Sequence, residues 1–198
     1  KALDGIARER KLTPEERAEQ KTYSRLADAF TPIAKGLASE YANQNAYDSI
    51  QVHGGSGFML EYPCQRIYRD ARITSIYEGT TQLQVVAALR YITNGLYTNT
   101  LKEMLEEPYE AEYEPIAKTL KGLVERLENT TTRLREAENQ ELLDYKGRYL
   151  YETTGLLLMV SLLLRNASQC REMFHESFLH YARLAQAEAE KNLLLANI

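Results

Sequence analysis

Residues 51–84, QVHGGSGFMLEYPCQRIYRDARITSIYEGTTQLQ, decide the fold, because they set glycine-rich and proline breaks between runs of helical character. We expect one helix to end near Gln51, at a break over residues 54–57, since glycine readily adopts the left-handed backbone that ends helices. An extended step at residues 61–63 then leads into a short helix over residues 65–73. The stretch therefore predicts two helices with a structured connection between them.

Upstream of this stretch, the sequence predicts a long helix. Thr13-Pro14-Glu15-Glu16 has a capping threonine, a proline in the first turn and a glutamate three residues after the cap. One apolar face recurs at helical spacing and continues toward Ile50; its members are Phe30, Ala34, Leu37 and Tyr41. Pro32 is expected to kink this helix or to divide it.

Downstream, Thr80 or Thr81 is expected to cap a helix that runs to about Tyr97. Residues 98–115 are acidic, contain two prolines and are expected to be irregular, which makes them the predicted domain boundary. Beyond them, apolar stripes predict three more helices, marked by Ile116, Leu120, Leu123, Leu127 and Leu134, by Leu142, Tyr149, Leu156, Val160 and Leu163, and by Phe174, Tyr181 and Ala185. The fold class is all-α: an antiparallel helical bundle over residues 1–97, followed by a second helical domain over residues 98–198.

Composition and charge exclude several classes of function. A net charge of −4 and the lack of a concentrated basic stretch argue against nucleic acid as a partner. The two cysteines, Cys64 and Cys170, are interpreted as reduced thiols, with a single disulfide as the alternative. No histidines or cysteines have metal-ligand spacing, and the apolar run over residues 156–164 is too short to cross a bilayer. Docking of the second domain on a membrane surface is a less favoured alternative to a helical bundle that widens a subunit contact.

Glu78 is the candidate for chemistry. It stands before Gly79 and two threonines that can cap a helix, so its carboxylate can be held rigidly beside a residue that lets another molecule approach closely. Such a carboxylate is suited to be a general base. The residues alone equally allow an ordinary acidic residue near a helix N-terminus. Arg66, Arg69 and Arg72 share part of a helix face and are open to two interpretations, phosphate binding or ion pairs with neighbouring carboxylates.

Four motifs in this order resemble the C-terminal domain of the acyl-CoA dehydrogenases: QVHGG at 51–55, EYP at 61–63, YRDARI at 68–73 and IYEGT at 76–80. The resemblance covers roughly residues 20–97. Residues 98–198 resemble the extra helical domain of some longer members. The family removes the α and β hydrogens of a fatty acyl-CoA to give a trans-2-enoyl-CoA, with FAD as the cofactor.

The resemblance implies a role for each matching residue. Glu78 would abstract the α proton, and Tyr77 and Gly79 would contact the substrate, Gly79 at its thioester end. Thr80, Thr81 and Gln82 would contact FAD. Gln51, Gly54 and Gly55 would reach the adenine-nucleotide part of an FAD held by a neighbouring subunit.

The resemblance also implies partners and a context. We expect a homodimer or homotetramer, electron-transferring flavoprotein as the electron acceptor, and a cytoplasmic or mitochondrial-matrix location. The chain is expected to be the C-terminal part of a longer polypeptide, and to be colourless and inactive by itself. The alternative is a helical oligomerisation module that derives from the same domain and has no catalytic role.

Overall fold

In a computed structural model, which describes residues 5–7 and 10–197, the chain is all-α, as predicted. Residues 5–7 are helical, and eight further helices follow with defined bounds. They are α1 Pro14–His53, α2 Gly55–Phe58, α3 Cys64–Thr74, α4 Thr81–Thr93, α5 Leu96–Leu105, α6 Glu114–Glu136, α7 Gln140–Gln169 and α8 Arg171–Ala196. No β-strand occurs within these described ranges.

Helix α1 begins as the sequence predicts. The Thr13 side chain accepts a hydrogen bond from the Glu16 N–H, and the Glu16 carboxylate accepts one from the Thr13 N–H at 2.8 Å, so the capping box is complete. The helix is not divided at Pro32, which lies in its interior. It ends at Gly54, whose φ of 59° is in the left-handed region.

The predicted apolar face of α1 is wrong at two positions, because Ala34 and Tyr41 are exposed. The buried line instead runs through Ala29, Ile33 and Leu37. Helical spacing fits both lines, and which one faces the core depends on where the other helices lie.

The connection between α1 and α4 differs from the prediction in one respect. The helix predicted over residues 65–73 is confirmed as α3. The extended step at residues 61–63 is wrong: Tyr62 N–H donates to the Met59 carbonyl at 3.2 Å, and Pro63 has φ −72° and ψ −19°, so these residues turn into α3. Proline fixes φ but leaves ψ free, and here the helical value of ψ is taken.

The predicted irregular stretch over residues 98–115 is also wrong over its first half. Helix α4 ends at Thr93, Gly95 has φ 79°, and α5 then runs to Leu105. Tyr97, Leu101 and Leu105 are fully buried on one face of α5. The helix has one glutamate, Glu103, but five more follow it before Pro115, and this acidic stretch hid the i, i+4, i+8 apolar line from the sequence interpretation.

The last three helices are confirmed, and α7 and α8 are antiparallel. Lys146, near the start of α7, donates from Nζ to the carbonyl of Leu195 near the end of α8 at 2.6 Å. One hydrophobic core joins residues of α1 and α4 to those of α5 through α8. The predicted division between residues 97 and 98 lies inside α5, and it stays a prediction about domains that share this core.

The two cysteines are free, as expected, with Cys64 buried and Cys170 exposed. Along the described ranges, no helix combines the length and the apolar character that crossing a bilayer requires.

Candidate active site

The turn that contains Glu78 connects α3 to α4 and has an unusual backbone. Glu78 has φ 52° and Gly79 has φ 91°, so two successive residues are left-handed. A positive φ is uncommon for a residue other than glycine, and surrounding contacts must hold it. Lys35 of α1 supplies one contact, from Nζ to the Gly79 carbonyl at 2.5 Å. Gln84 supplies others, from Nε2 to the carbonyls of Glu78 at 3.4 Å and Gly79 at 3.3 Å.

The Glu78 side chain is exposed, and within the described part of the chain its carboxylate makes no hydrogen bond or ion pair. Its backbone N–H likewise has no acceptor among these residues. The backbone of the turn is therefore fixed, while the carboxylate and the N–H of the same residue are free to meet another molecule. This arrangement is the opposite of a structural carboxylate committed to a salt bridge. Tyr77, which precedes Glu78, is also exposed.

A cleft of about 490 Å³ opens beside this turn, between α1, α3 and the start of α4. Its lining is mostly polar and comes from all three helices and the connecting turn: Glu40, Asn43, Gln44, Tyr47, Tyr68, Arg72, Ser75, Ile76, Thr80, Thr81 and Gln82. Three of the predicted site residues, Thr80 to Gln82, are thus brought together at one opening. Polar groups that converge on a cleft from several elements can fix the orientation of a bound ligand.

The three residues of this predicted set differ in what they can offer. Thr80 caps α4, its Oγ1 accepting from the Leu83 N–H at 3.4 Å, and its hydroxyl hydrogen has no partner among the described residues. Thr81 is only 7% exposed, its hydroxyl donates to Glu40 Oε1 at 2.6 Å and its N–H donates to the Ser75 carbonyl at 3.3 Å. Gln82 is exposed. Thr80 and Gln82 can therefore donate into the cleft, whereas both Thr81 donors are already used.

Asn43 brings an unsatisfied acceptor to the cleft. Its Nδ2 donates to the carbonyls of Ser39 at 2.7 Å and Ala71 at 3.1 Å, which fixes the orientation of the amide. Its Oδ1 is buried and has no hydrogen-bond partner. A buried unpaired polar atom costs about 1–3 kcal/mol, so a donor from a bound molecule would relieve a real penalty here.

Arg72 adds positive charge to the same cleft. Its Nη1 donates to the Ser75 hydroxyl, and within residues 10–197 neither Arg72 nor Arg66 nor Arg69 forms an ion pair. Of the two interpretations of this arginine cluster, ion pairing with neighbouring carboxylates is thus not found. A guanidinium without a carboxylate partner is suited to an anionic ligand.

Gln51, Gly54 and Gly55 do not line this cleft. They lie at the C-terminal end of α1, where the Gly54 N–H donates to the Gln51 carbonyl at 3.1 Å. At 1.5 Å per helical residue, Gln51 is about 16 Å along α1 from Glu40. The predicted site residues therefore form two groups, one at the cleft and turn and one at the far end of α1.

Two of the three histidines have protein partners. His53 Nδ1 contacts the Ser49 carbonyl at 2.8 Å, and His175 Nδ1 contacts the Tyr113 hydroxyl at 2.8 Å. In the part of the chain that the structure describes, no group of three metal-ligating side chains is present.

Sequence reasoning missed Lys35, Glu40 and Asn43, which hold the turn and line the cleft. A signal was available, because Lys35, Ser39 and Asn43 repeat at i, i+4 and i+8 and so place a polar line along a helix that is otherwise apolar toward the core. The position of that line relative to Glu78 depends on tertiary packing.

Comparison with known proteins gives the family. Residues 93–196 match the family model described as "Acyl-CoA dehydrogenase C terminal", and residues 8–92 match that described as "Acyl-CoA dehydrogenase, C-terminal domain". A crystal structure of an acyl-CoA dehydrogenase family protein from Porphyromonas gingivalis superposes with a TM-score of 0.52 at 32% identity, covering 56% of this chain and 95% of that chain.

Curated relatives are similar over shorter segments. An acyl-CoA dehydrogenase of Bacillus subtilis is 43% identical over 63 residues, 32% of this chain and 17% of the relative. The mitochondrial long-chain specific acyl-CoA dehydrogenase of Sus scrofa is 46% identical over 70 residues, 35% and 16% of the two chains. A 3-(aryl)acrylate reductase of Clostridium sporogenes is 45% identical over 58 residues, 29% and 15%.

The matched segment spans 15–17% of the length of these curated relatives, so the likeness concerns one region of much longer proteins. Together the two family models cover residues 8–196, which is nearly the whole chain. By sequence along its length and by fold, this chain belongs to the acyl-CoA dehydrogenase family.

Proposed function

We propose that this chain is the C-terminal part of an enzyme that oxidises a fatty acyl-CoA to its trans-2-enoyl-CoA, with Glu78 as the base that removes the α proton. The observation that carries the proposal is the Glu78 turn. Its left-handed backbone is held by Lys35 and Gln84, while its carboxylate is left without a partner in the described chain. A residue held in a strained backbone with its functional group uncommitted is typical of a catalytic position.

Proton abstraction beside a thioester requires more than a base. The α proton is weakly acidic, so hydrogen-bond donors must stabilise the negative charge that develops on the thioester oxygen. The Glu78 N–H has no acceptor among the described residues and so is available as one such donor. Gly79 follows it without a side chain, which lets the thioester approach the backbone.

The cleft residues fit a flavin. The buried Asn43 Oδ1 lacks a donor, Thr80 and Gln82 have donors to give, and Arg72 has a charge suited to phosphate. We propose that these residues contact FAD, with Thr81 beside them, and that Gln51, Gly54 and Gly55 reach the adenine-nucleotide part of the FAD of a neighbouring subunit. When bound, FAD supplies the hydride acceptor for the substrate β hydrogen.

The two groups lie on the same helix, with Gln51 about 16 Å along α1 from Glu40, the residue that holds Thr81, and we propose that they contact different FAD molecules. A homodimer or homotetramer, electron-transferring flavoprotein as the acceptor and a place in fatty acid β-oxidation complete the proposal.

The test is Glu78→Gln in the full-length polypeptide. Because general-base catalysis contributes about 10²–10⁴-fold, enoyl-CoA formation is expected to fall by that factor while bound FAD, measured by its visible absorption, stays stoichiometric. Glu61→Gln, at an exposed position of the same segment, is the matched control and is expected to keep its activity. Near-normal turnover by Glu78→Gln would remove Glu78 from the base role.

The alternative, a helical oligomerisation module without catalysis, predicts a different result. The full-length protein would then assemble but would bind no flavin and form no enoyl-CoA. The uncommitted Glu78 favours the enzyme, since assembly alone gives no reason to hold a free carboxylate in a strained turn.

A further inference from the structure

We infer that Arg148, on helix α7 of the C-terminal region, is a positioning residue that sets the orientation of Thr81 at the cleft, acting through Glu40. The inference gives the C-terminal helices a part in the candidate site, from which they are separated in sequence. Its consequence for FAD rests on the proposed function, whereas the protein contacts themselves do not.

A continuous line of polar contacts joins the two regions. The Thr81 hydroxyl donates to Glu40 Oε1 at 2.6 Å, and Arg148 Nη2 lies 3.9 Å from that same oxygen. Arg148 Nε also donates to Glu152 Oε1 at 2.6 Å. Asn192 of α8 donates to the other oxygen of Glu152 at 3.4 Å. The line therefore runs from α4 through α1 to α7 and α8.

Glu40 lies between two openings, which explains how it can connect them. It lines the cleft that contains Thr80 to Gln82, and it also lines a second cavity of about 500 Å³ between α1, α7 and α8. Of these two openings, Arg148 borders the second and not the first. The Arg148 charge thus lies on the side of Glu40 that faces away from the cleft, so it does not occupy space that a ligand needs.

The backbone that carries Arg148 is held close to α1. The buried Tyr151 hydroxyl, one turn further along α7, donates to the Pro32 carbonyl at 2.9 Å. A Cβ added at Gly36 would overlap that hydroxyl, so α1 and α7 approach closely only because residue 36 is glycine. The distance between Arg148 and Glu40 is therefore set by a packed helix contact and not by the reach of a long side chain alone.

The physical effect concerns which way the Thr81 hydroxyl points. The Arg148 guanidinium attracts the Glu40 carboxylate and so restricts its rotamer, which keeps Oε1 aimed at Thr81 as an acceptor. The hydroxyl hydrogen then faces Glu40, and the oxygen lone pairs face the cleft. Because the Thr81 N–H is also used, by Ser75, Thr81 offers the cleft an acceptor only. It suits a hydroxyl group of FAD, such as one on its ribityl or ribose, and not a phosphate.

Two measurements test the inference, one with flavin and one without. In the full-length apoprotein, Arg148→Ala is expected to weaken FAD binding about two- to fivefold, the range for a partly exposed ion pair. Arg148→Lys should lie between it and the unchanged protein. In the 198-residue chain without flavin, hydrogen exchange of the Thr81 amide is expected to speed up by a similar factor in Arg148→Ala.

A double-mutant cycle separates positioning from a general structural effect. Glu40→Gln keeps an oxygen that can accept from Thr81 but removes the charge that Arg148 attracts. Arg148→Ala should therefore add nothing to the effect of Glu40→Gln on either measurement. Arg183→Ala, at an exposed position of α8 with no ion pair in the described chain, is the matched control and should change neither.

The inference is overturned if Arg148→Ala and Arg183→Ala give equal values, or if Arg148→Ala retains its full effect beside Glu40→Gln. A full-length protein that binds no FAD would contradict the proposed function alone, and the exchange measurement would still decide the role of Arg148. Thermal midpoints of all variants show whether a loss of FAD affinity comes from unfolding. If Arg148→Ala is found to be unfolded, FAD binding by Arg148→Lys, which keeps the charge, tests the inference in its place.

Discussion

The C-terminal helices and the motif-bearing segment are stabilised in different ways. In α6 to α8 many large apolar side chains are buried, with Leu127, Leu157 and Phe178 at 0% exposure, although some others, such as Leu194, are exposed. In residues 51–80, Val52 is 85% exposed and Leu60 83%, and the buried positions are Gly57, Cys64 and Ser75. The C-terminal helices contribute large side chains to the main hydrophobic core, whereas the segment with the candidate chemistry exposes apolar side chains that further polypeptide could cover.

Polar contacts from α1 take the place of a core in this segment. Asn43 donates to the Ala71 carbonyl at 3.1 Å and Lys35 to the Gly79 carbonyl at 2.5 Å. Such contacts fix direction but contribute about 1 kcal/mol each, so the segment can be positioned accurately without being strongly stabilised. Accurate positioning with little stabilisation is suited to a site that is completed by further polypeptide packed against this segment.

The largest difference between the two regions is expected from leucine truncation. Leu157→Ala removes a fully buried side chain and should lower the free energy of unfolding by about 2–5 kcal/mol. Leu60→Ala, the same change in the exposed segment, should alter it by no more than about 0.5 kcal/mol. Chemical denaturation of both variants measures this, and equal losses would show that residue 60 is buried in solution.

A second comparison concerns two glycines in helices. Gly36→Ala should destabilise the chain by about 1–3 kcal/mol, because the new methyl group meets the Tyr151 hydroxyl where α1 packs on α7. Gly122→Ala, in α6 with nothing near the new methyl group, should stabilise it by about 0.5–1 kcal/mol through helix propensity. Thermal unfolding measures whether each variant is less or more stable than the unchanged chain. A Gly36→Ala variant of unchanged stability would contradict the close packing of α1 on α7.

Lys35→Met tests how the Glu78 turn is held. Loss of the hydrogen bond to the Gly79 carbonyl should lower the local stability of residues 76–80 by about 1 kcal/mol, with little change in global unfolding. Hydrogen exchange measured residue by residue distinguishes this local loss of stability from a change in global unfolding. Lys21→Met, at an exposed position of the same helix, is the control and should leave the exchange of the turn unchanged.

The smallest expected effect is that of pH on the start of α1. Hydrogen bonds from Arg10, and then from the Thr13 N–H, lower the pKa of Glu16 from 4.5 to about 2. A carboxylate with a lowered pKa stabilises the fold above its ordinary pKa and loses that contribution as the pH falls through about 2. Glu16→Gln should therefore reduce the loss of helicity measured by circular dichroism between pH 5 and pH 2. Glu15→Gln should leave that loss as it is in the unchanged chain, and an identical loss in all three proteins would contradict the role of Glu16.

Local signals predicted much of this molecule. The Thr13 capping box and the Gly54 break act within a few residues, and each is found where the sequence placed it. Of the two predicted caps of α4, Thr80 and Thr81, Thr80 is the one observed. Two predictions failed where the local sequence pattern was ambiguous. In α5, charged residues concealed the buried line through Tyr97 and Leu101, and at Pro63 the sequence left ψ undetermined.

At the candidate site too, only features that depend on neighbouring residues could be predicted from the sequence. Glu78 and its capping neighbours could be chosen from their order and their resemblance to a family, because those are properties of adjacent residues. The partners Lys35, Glu40 and Asn43 could not, since they are about 30 to 45 residues away along the chain and meet the site through helix packing.

By itself, the sequence determined the helical class, the positions of the main caps and breaks, and the family. The helical class, caps and breaks follow from backbone preferences and apolar period, which act over a few residues, whereas the family followed from the resemblance of four motifs. Only the tertiary structure decided which face of α1 is buried, that Thr81 donates to Glu40, and that Arg148 stands behind that carboxylate. These depend on how helices distant in sequence cross, and that crossing is set by the close packing of residues such as Gly36 and Tyr151.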